Sequence, residues 1–457
     1  MTERFRAHLA ESGLVPEGAT VLVGYSGGAD STCLLHLLAE AGVNQIACHL
    51  HHGQRPEADE EMERCAAECD RLGVPFISGR ADVPMLAEDR GIGIEEAGRR
   101  ARYEFFEQCL HSTDASLVAT AHTQDDHVET VLLNIVRGTG LHGLAGIPAK
   151  RDDIIRPLLP FSRAETRAYC EGRSLWFHDD PANEETAFSR VRVRRNVLPE
   201  LEAINPAVRD AVCRLAATAE AEDKFLNGMS AAALERAEVE LNGQLSFLTK
   251  DCEIAFDRAA LTGVPEVLLS RAIRLVTGVL GQRFDFAQTQ AVIQGLRWEE
   301  RGSVTAEGGR IVVEWTRERV IARSLEVAEP FRFPLTIPGE TVSDTFGWKF
   351  IVQTAGPENY LREPGSLDVV LDADAVTGGM FFRSYEDGDT IVPLGSSTEK
   401  KVSDVVAGLK LSQAARRRLP VVYDETGAVW VPGGCIGERV KVTGRAKRCF
   451  RLTLGPI

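Results

Sequence analysis

The most regular pattern of apolar and polar residues lies in the first third of the chain. Short apolar runs of strand length, such as VLVGY at 21–25 and IACHL at 46–50, alternate with longer segments of helical apolar spacing. Three further runs of this kind are VPFISG at 74–79, SLVATAH at 116–122 and IIRPLL at 154–159. The alternation predicts an α/β fold with a parallel, Rossmann-like sheet, and such sheets bind ligands at the carboxyl ends of their strands.

The pattern changes twice further along the chain. From about Asn205 the apolar spacing is helical, and from about Pro330 short strands alternate with glycine and proline. We therefore predict a catalytic domain at 1–205, a mainly helical middle domain at 206–335 and a β-rich domain at 336–457. No apolar run reaches membrane-spanning length, so no membrane association is expected.

Charge is distributed unevenly in this acidic protein, whose formal net charge is -15. From Lys400 to the end, twelve Lys or Arg residues stand against four Asp or Glu residues, which makes this part basic. A basic end on an acidic chain favours a polyanionic partner such as RNA. The candidate contacts in it are Arg416, Arg417, Lys441 and Arg445.

Cysteine usage predicts the compartment. The ten cysteines include no CxxC pair and no paired metal spacing. A disulfide framework is therefore not expected, and we predict a protein of the reducing cytoplasm.

The loop after the first strand, SGGADS at 26–31, predicts a phosphate site. Small residues between a strand and a helix let backbone N–H groups approach an anion, and the helix N-terminus adds partial positive charge. Ser26, Gly27, Gly28 and Ser31 suit this role, although the loop matches neither the Walker A nor the GxGxxG pattern. Asp30 would repel a bare phosphate, so it predicts a Mg²⁺ ion between its carboxylate and ATP.

The same loop resembles the PP-loop of the N-type ATP pyrophosphatases, and later blocks narrow the resemblance. HLHHGQR at 49–55, IEEAGRRARYEFF at 94–106, ATAHTQDDHVET at 119–130 and HDDPANEETAFSRVRVRRN at 178–196 resemble, in this order, the tRNA(Ile)-lysidine synthase family. DGDTIVPLGSSTEKKVSDVV near the C-terminus is similar to that family's last domain. The resemblance therefore covers most of the chain.

The resemblance implies a reaction and its partners. Members of that family use ATP and Mg²⁺ to adenylate the wobble cytidine in the CAU anticodon of tRNA(Ile), release pyrophosphate and join free L-lysine to the base. The change converts AUG reading to AUA reading. It implies a carbon–nitrogen ligase, and the sequence leaves the oligomeric state, including a homodimer, open.

Two carboxylates are the candidate catalytic and lysine-binding pair. Asp126 and Glu129 lie three residues apart on one face of a predicted helix, where they suit an ammonium ligand. Spacing alone is equally compatible with an acidic helix start that complements the dipole. The resemblance implies the lysine-binding role, and it extends that role to Asn183 and Arg194.

Further positive residues follow from the same blocks. Arg190 and Arg192 flank Arg194 and are candidate phosphate or tRNA contacts, as is Arg102 on the helix of the second block. Ala182 and Val191 depart from the family's usual serine and asparagine, which weakens the residue-by-residue transfer there.

Histidines at two strand ends complete the candidate site. The resemblance places His49 near the nucleotide, whereas a zinc site with its neighbours is disfavoured because adjacent strand residues point to opposite faces. His122 matches a family position, yet a satisfied structural histidine is an equally good interpretation of it.

Two rival functions remain at this point. A PP-loop tRNA thiolase would use relay or cluster cysteines, and the absence of CxxC counts against it. A catalytically idle tRNA-binding relative would be expected to lose parts of the loop, yet its serines, glycines and aspartate are present.

Overall fold

The computed structural model describes residues 1–51, 53, 58–179, 189–326, 328–356 and 366–457. These residues form two compact units, Met1–Lys224 and Phe225–Ile457. None of their helices is long and apolar enough to cross a membrane.

The first unit is a sheet surrounded by helices. Its strands are β1 Thr20–Gly24, β2 Asn44–His51, β3 Phe76–Arg80, β4 Leu117–Ala119, β5 Lys150–Arg151 and β6 Ile154–Ile155. Its helices are α1 Thr2–Ser12, α2 Ala29–Glu40, α3 Ala58–Leu72, α4 Val83–Arg90, α5 Ile94–Ser112, α6 Gln124–Val136, α7 Leu141–Leu144, α8 Arg163–Gly172, α9 Ser189–Arg192 and α10 Leu198–Ile204. A π-helical turn, Val193–Val197, joins α9 to α10, and α11 (Val208–Ala237) continues past the end of the unit.

Burial on both faces explains why β1 is almost wholly apolar. In β1, Val21 and Val23 belong to one core, which includes α2, while Leu22 belongs to another, which includes Phe106 of α5. Parallel sheets are covered on both faces in this way. The predicted α/β fold is confirmed.

Strand order positions the site. The sheet runs β3-β2-β1-β4-β6-β5, with every pair parallel except β5 and β6. Because β1 lies between β2 and β4, the chain direction across the sheet reverses at β1, and ligands bind at such reversals. The segments that leave β1 and β4 therefore share one edge.

The sheet ends in a small hairpin that the periodicity did not predict. Only Ile154 and Ile155 of the IIRPLL run form a strand, and they pair antiparallel with β5. Asp152 has a φ of 54°, which lets the chain turn sharply, and Pro157 has no N–H with which to extend the pairing.

The second unit combines helices with several antiparallel sheets. Its helices are α12 Arg258–Thr262, α13 Glu266–Val279, α14 Phe286–Trp298, α15 Val402–Gly408 and α16 Gln413–Arg418. Its strands are β7 Glu238–Val239, β8 Glu253–Asp257, β9 Gly302–Thr305, β10 Ile311–Trp315, β11 Arg319–Ser324, β12 Arg332–Pro334, β13 Gly339–Ser343, β14 Trp348–Ala355, β15 Asp368–Asp372, β16 Phe381–Arg383, β17 Thr390–Ile391, β18 Lys400–Lys401, β19 Val421–Asp424, β20 Gly427–Val431, β21 Cys435–Ile436 and β22 Cys449–Pro456.

An aromatic core holds the last part of this unit together. Trp348, Phe350, Phe382 and Trp430 are almost fully buried in it, and residues 243–248 contribute leucines and a phenylalanine to the same core. Residues assigned to the predicted middle domain thus pack with the C-terminal strands. The division at 205 and 335 stays a prediction.

Candidate active site

The loop after β1 is shaped by two serines and a glycine. Ser31, in the first turn of α2, has its hydroxyl 3.1 Å from that of Ser26 and donates a hydrogen bond to the Gly28 carbonyl at 3.0 Å. Ser31 also accepts the Ser26 N–H at 3.2 Å. Gly27 lies between them with a φ of +81°. The four small residues predicted to bind phosphate therefore form one compact turn at the start of α2.

Gly27→Ala is expected to distort this turn. A methyl group there would lie 2.9 Å from Cys65 Sγ and 3.0 Å from His178 Nδ1, in addition to a backbone strain of about 1–2 kcal/mol. We expect ATP affinity to fall at least about tenfold, because the N–H groups of the loop would move out of the positions in which they bind the ATP phosphates. Gly13→Ala is the matched control, because Gly13 has a φ of +60° but its added methyl would meet nothing within 4 Å. Equal ATP affinities of the two variants in calorimetry would contradict this role of the loop.

Asp30 lies in the first turn of α2 and faces α8. Its carboxylate accepts a hydrogen bond from the Thr166 hydroxyl, and its Oδ2 lies 3.6 Å from Nε of Arg163. Burial, with a smaller contribution from the nearby carboxylates of Asp126 and Asp125, raises the pKa of the Asp30 carboxyl to about 6 against the opposing effects of Thr166 and Arg163. The surroundings of Asp30 thus disfavour its ionised form, which a bound cation would stabilise.

The helix that leaves β4 begins with a capping box. The Thr123 N–H and hydroxyl donate to Oδ2 of Asp126 at 2.9 and 2.8 Å, while Oδ1 of Asp126 accepts from Arg163 Nη2 at 2.9 Å. Burial alone would raise the pKa of Asp126, but Arg163 and the Thr123 donors hold it below its ordinary value. Asp126 is therefore an ionised carboxylate with one oxygen fixed by the helix cap.

Glu129 lies on the same face of α6, and its side chain is fully buried. Arg194 Nε donates to its Oε1 at 2.7 Å, and Arg163 Nη1 donates to the same oxygen at 3.3 Å. Arg194 Nη2 and Arg190 Nε lie 3.3 and 3.8 Å from Oε2. Three arginines from two segments thus surround one carboxylate.

Asp125, the other acidic residue at the start of this helix, joins neighbouring helices. Its Oδ2 accepts the backbone N–H of Arg163 at 2.7 Å, and its Oδ1 pairs with Arg209 of α11 at 2.5 Å. Asp125 therefore ties α6 to the starts of α8 and α11.

Sequence reasoning missed Arg163 and Thr166. Both belong to α8, which no motif marks; Thr166 donates to Asp30, and Arg163 contacts Asp30 together with Asp126 and Glu129. A neighbouring residue, Arg167, forms a bidentate pair with Asp179 at 2.7 and 2.9 Å. The only available signal was the helix period, since 163, 166, 167 and 170 lie on one face of α8.

Of the two candidate histidines, His49 is buried and His122 is half-buried. His49 is buried, its Nδ1 lies 2.9 Å from the Tyr25 carbonyl, and burial lowers its pKa. His122 Nδ1 lies 3.0 Å from the Thr120 hydroxyl. Burial lowers the pKa of the His122 imidazole to about 4. Both rings are therefore neutral at pH 7.

This shift predicts a dependence of stability on pH. An unfolded chain binds a proton at His122 below pH ~6.5, whereas the folded chain does so only below about 4, so the free energy of unfolding should fall as pH drops through this window. At pH 5 the loss due to this residue is about 2 kcal/mol. His122→Asn should remove that part of the slope, whereas His111→Asn, at an exposed position, should not. Urea unfolding between pH 5 and 7.5 measures it, and identical slopes for the wild type and His122→Asn would contradict it.

The remaining candidates are distributed around these groups. Arg190 and Arg194 converge on Glu129, whereas Arg192 is exposed. Arg102 on α5 is exposed to solvent. Nearby protein atoms desolvate part of its side chain and so lower its pKa. No described residue forms an ion pair with it. Asn183 lies outside the described residues.

Of the four basic candidates near the C-terminus, Arg417 and Arg445 are exposed. Arg416 is half-buried, with its Nε donating to the Leu411 carbonyl at 3.0 Å. Lys441 is exposed and pairs with Glu438.

The donor set fits a nucleotide-bound Mg²⁺ better than a metal held by protein alone. Among the described residues no group of three or more His, Cys, Asp or Glu side chains could hold a metal ion. Mg²⁺ commonly takes one or two carboxylates together with substrate phosphates. Asp30, half-buried beside the loop after β1 and with a raised pKa, suits that pattern.

Comparisons with known proteins cover nearly the whole chain. A PP-loop domain family matches residues 1–201, and a TilS substrate C-terminal domain family matches residues 380–453. The tRNA(Ile)-lysidine synthase of Geobacter sulfurreducens is 31% identical over 97% of this chain and 95% of its own length, and that of Geobacillus kaustophilus is 30% identical over 95% and 94%. A solved TilS C-terminal domain aligns with a TM-score of 0.26 and 23% identity, covering 28% of this chain and 98% of that one.

Proposed function

Because this chain belongs to the tRNA(Ile)-lysidine synthase family, we propose that its described site joins free lysine to the wobble cytidine of tRNA(Ile) with the CAU anticodon. It is an ATP-using ligase that modifies tRNA(Ile). The observation that carries the residue assignments is that β1 and β4 are adjacent, so the phosphate loop and the carboxylates of α6 meet at one edge of the sheet.

The first half-reaction is activation of the base. Backbone N–H groups of the loop and the N-terminus of α2 bind the ATP phosphates, and Asp30 holds the Mg²⁺ that neutralises them. The 2-carbonyl oxygen of the cytidine attacks the α-phosphorus, the bond to the β-phosphate breaks and pyrophosphate leaves. The cytidine must be unstacked to reach the edge of the sheet.

The second half-reaction forms the carbon–nitrogen bond. Asp126 and Glu129 bind a lysine amino group, Arg194 and Asn183 bind the rest of the amino acid, and Arg190 contacts phosphate or tRNA. The amine loses a proton, attacks the activated ring carbon and expels AMP. Its proton goes to a carboxylate or to water.

Exposed positive charge fits the role of binding RNA. Arg102 and Arg192 lie in the first unit, and Arg417 and Arg445 lie in the second. Backbone phosphates are the groups that such residues bind, without reading sequence. We assign Arg416 and Lys441 the same role.

Two further expectations complete the proposal. All ten cysteines are free thiols, which suits the reducing cytoplasm. A homodimer stays a prediction that the mass in solution tests.

The test is transfer of radiolabelled lysine to tRNA(Ile) with the CAU anticodon in the presence of ATP and Mg²⁺. We expect incorporation with release of AMP and pyrophosphate, and none onto tRNA(Met) or with EDTA. Release of AMP without incorporation would mean that another nucleophile is used, as in a thiolase. No tRNA-dependent use of ATP would indicate an idle tRNA-binding relative.

A further inference from the structure

Arg163 occupies the position that both proposed ligands need. Its Nη2 donates to Asp126 Oδ1 at 2.9 Å, its Nη1 donates to Glu129 Oε1 at 3.3 Å, and its Nε lies 3.6 Å from Asp30 Oδ2. One guanidinium therefore bridges the carboxylate proposed for Mg²⁺ and the two proposed for lysine.

The remaining oxygens of these carboxylates are already bonded. Oδ2 of Asp126 accepts two hydrogen bonds from Thr123, and Oε2 of Glu129 faces Arg194 and Arg190. A lysine ammonium that binds the pair therefore needs Asp126 Oδ1, to which Arg163 donates, and Glu129 Oε1, to which Arg163 donates at 3.3 Å and Arg194 Nε at 2.7 Å. Substrate and Arg163 compete for the same acceptors.

The side chain of Arg163 can move although its backbone is fixed. The Arg163 N–H is held by Asp125, and Ser162 with Glu165 forms a capping box at this end of α8. The guanidinium, in contrast, ends a flexible stem and is 30% exposed. A cation bound at Asp30 Oδ2, the oxygen that lies 3.6 Å from Arg163 Nε, would repel the guanidinium and so drive it outward.

We propose that Arg163 is a positioning residue that couples the two ligands: MgATP binding at Asp30 displaces its guanidinium and frees Asp126 and Glu129 for lysine. The inference rests on the proposed function. Lysine should consequently bind weakly to the free enzyme and more tightly to the nucleotide complex, and by linkage lysine should tighten nucleotide binding by the same factor.

Calorimetric titration of L-lysine into the full chain tests this, with and without the non-hydrolysable analogue AMPPNP and Mg²⁺. In the wild type we expect MgAMPPNP to lower the Kd of lysine at least about fivefold. Arg163→Met should bind lysine without nucleotide about as tightly as the wild-type complex does, so that the ratio of the two Kd values falls to about one. AMPPNP with EDTA should not produce the wild-type effect.

Two further variants keep the test decisive. Arg173→Met, directly after the end of the same helix but paired with Glu40, should retain the wild-type ratio. Arg163→Lys keeps a cation that cannot span three carboxylates, so its ratio should lie between the two, and this variant supplies the result if Arg163→Met does not fold.

The outcomes separate the two levels of inference. A wild-type ratio in Arg163→Met or Arg163→Lys, or a ratio of one in the wild type, would overturn the coupling and leave the ligase assignment intact. If Arg163→Met bound the nucleotide more weakly but kept the wild-type ratio of lysine Kd values, the coupling would also be overturned, because Arg163 would then only bind phosphate. No lysine binding by the wild type under any condition would instead overturn the proposed lysine site.

Discussion

Asp30→Asn is expected to lower lysine transfer to tRNA about 100-fold or more. If Asp30 holds the Mg²⁺ that neutralises the ATP phosphates, its loss removes charge stabilisation worth several kcal/mol, and each 1.4 kcal/mol is a factor of ten. Initial rates of lysine incorporation at saturating ATP measure the effect.

The same substitution should leave the fold intact, which distinguishes a lost function from a lost structure. Burial raises the pKa of Asp30 to about 6, so at pH 7 the ionised carboxylate destabilises the folded state, and this cost is absent below about pH 4. A neutral asparagine can still accept from Thr166, so the melting temperature should be equal or higher.

The matched control for this prediction is Asp152→Asn. Asp152 is 88% exposed in the β5–β6 turn, and asparagine tolerates its positive φ. Transfer by this control should equal that of the wild type. A rate for Asp30→Asn within about threefold of the wild type would exclude Asp30 as the metal ligand.

Glu129→Gln is expected to abolish lysine transfer and to destabilise the first unit. Removing the charge leaves Arg163, Arg190 and Arg194 around a neutral side chain, and breaking such a buried network costs about 3–5 kcal/mol. The arginines are about one-third exposed, so we expect the lower end, about 3 kcal/mol, which corresponds to a fall in Tm of roughly 6–12 °C.

Thermal unfolding and lysine binding should be measured together on this variant. Glu107→Gln, at an exposed position of α5, is the control and should change neither quantity. An unchanged Tm would mean that the three arginines do not depend on Glu129. Retained lysine transfer would show that Glu129 does not bind the substrate amine.

Local pattern was sufficient for most strands of the first sheet and for the loop after β1. The turn after β1 is where the apolar run ends and four small residues intervene, because a strand-to-helix turn that admits an anion has few alternatives to glycine and serine. The pairing of Asp126 with Glu129 on one helix face likewise follows from the helical period.

The same pattern did not predict the contacts of side chains whose surroundings are formed by several segments of the chain. Asp125 and Asp126 are neighbours of the same type, yet Asp125 accepts the backbone N–H of Arg163 and pairs with Arg209, whereas Asp126 accepts from the guanidinium of Arg163. Residues 243–248, assigned to the middle domain, join the C-terminal core because their leucines meet strands that lie far away in sequence.

The sequence by itself determined the α/β fold, the phosphate loop and the family of the chain, since each depends on residue types within short spacings. Only the tertiary structure decided that α8 supplies Thr166 and Arg163 to Asp30, and that Arg163 also reaches Asp126 and Glu129. The physical reason is that charge interactions depend on distance in space, and residues 30, 126, 129 and 163 become neighbours only when the parallel sheet brings β1 and β4 together.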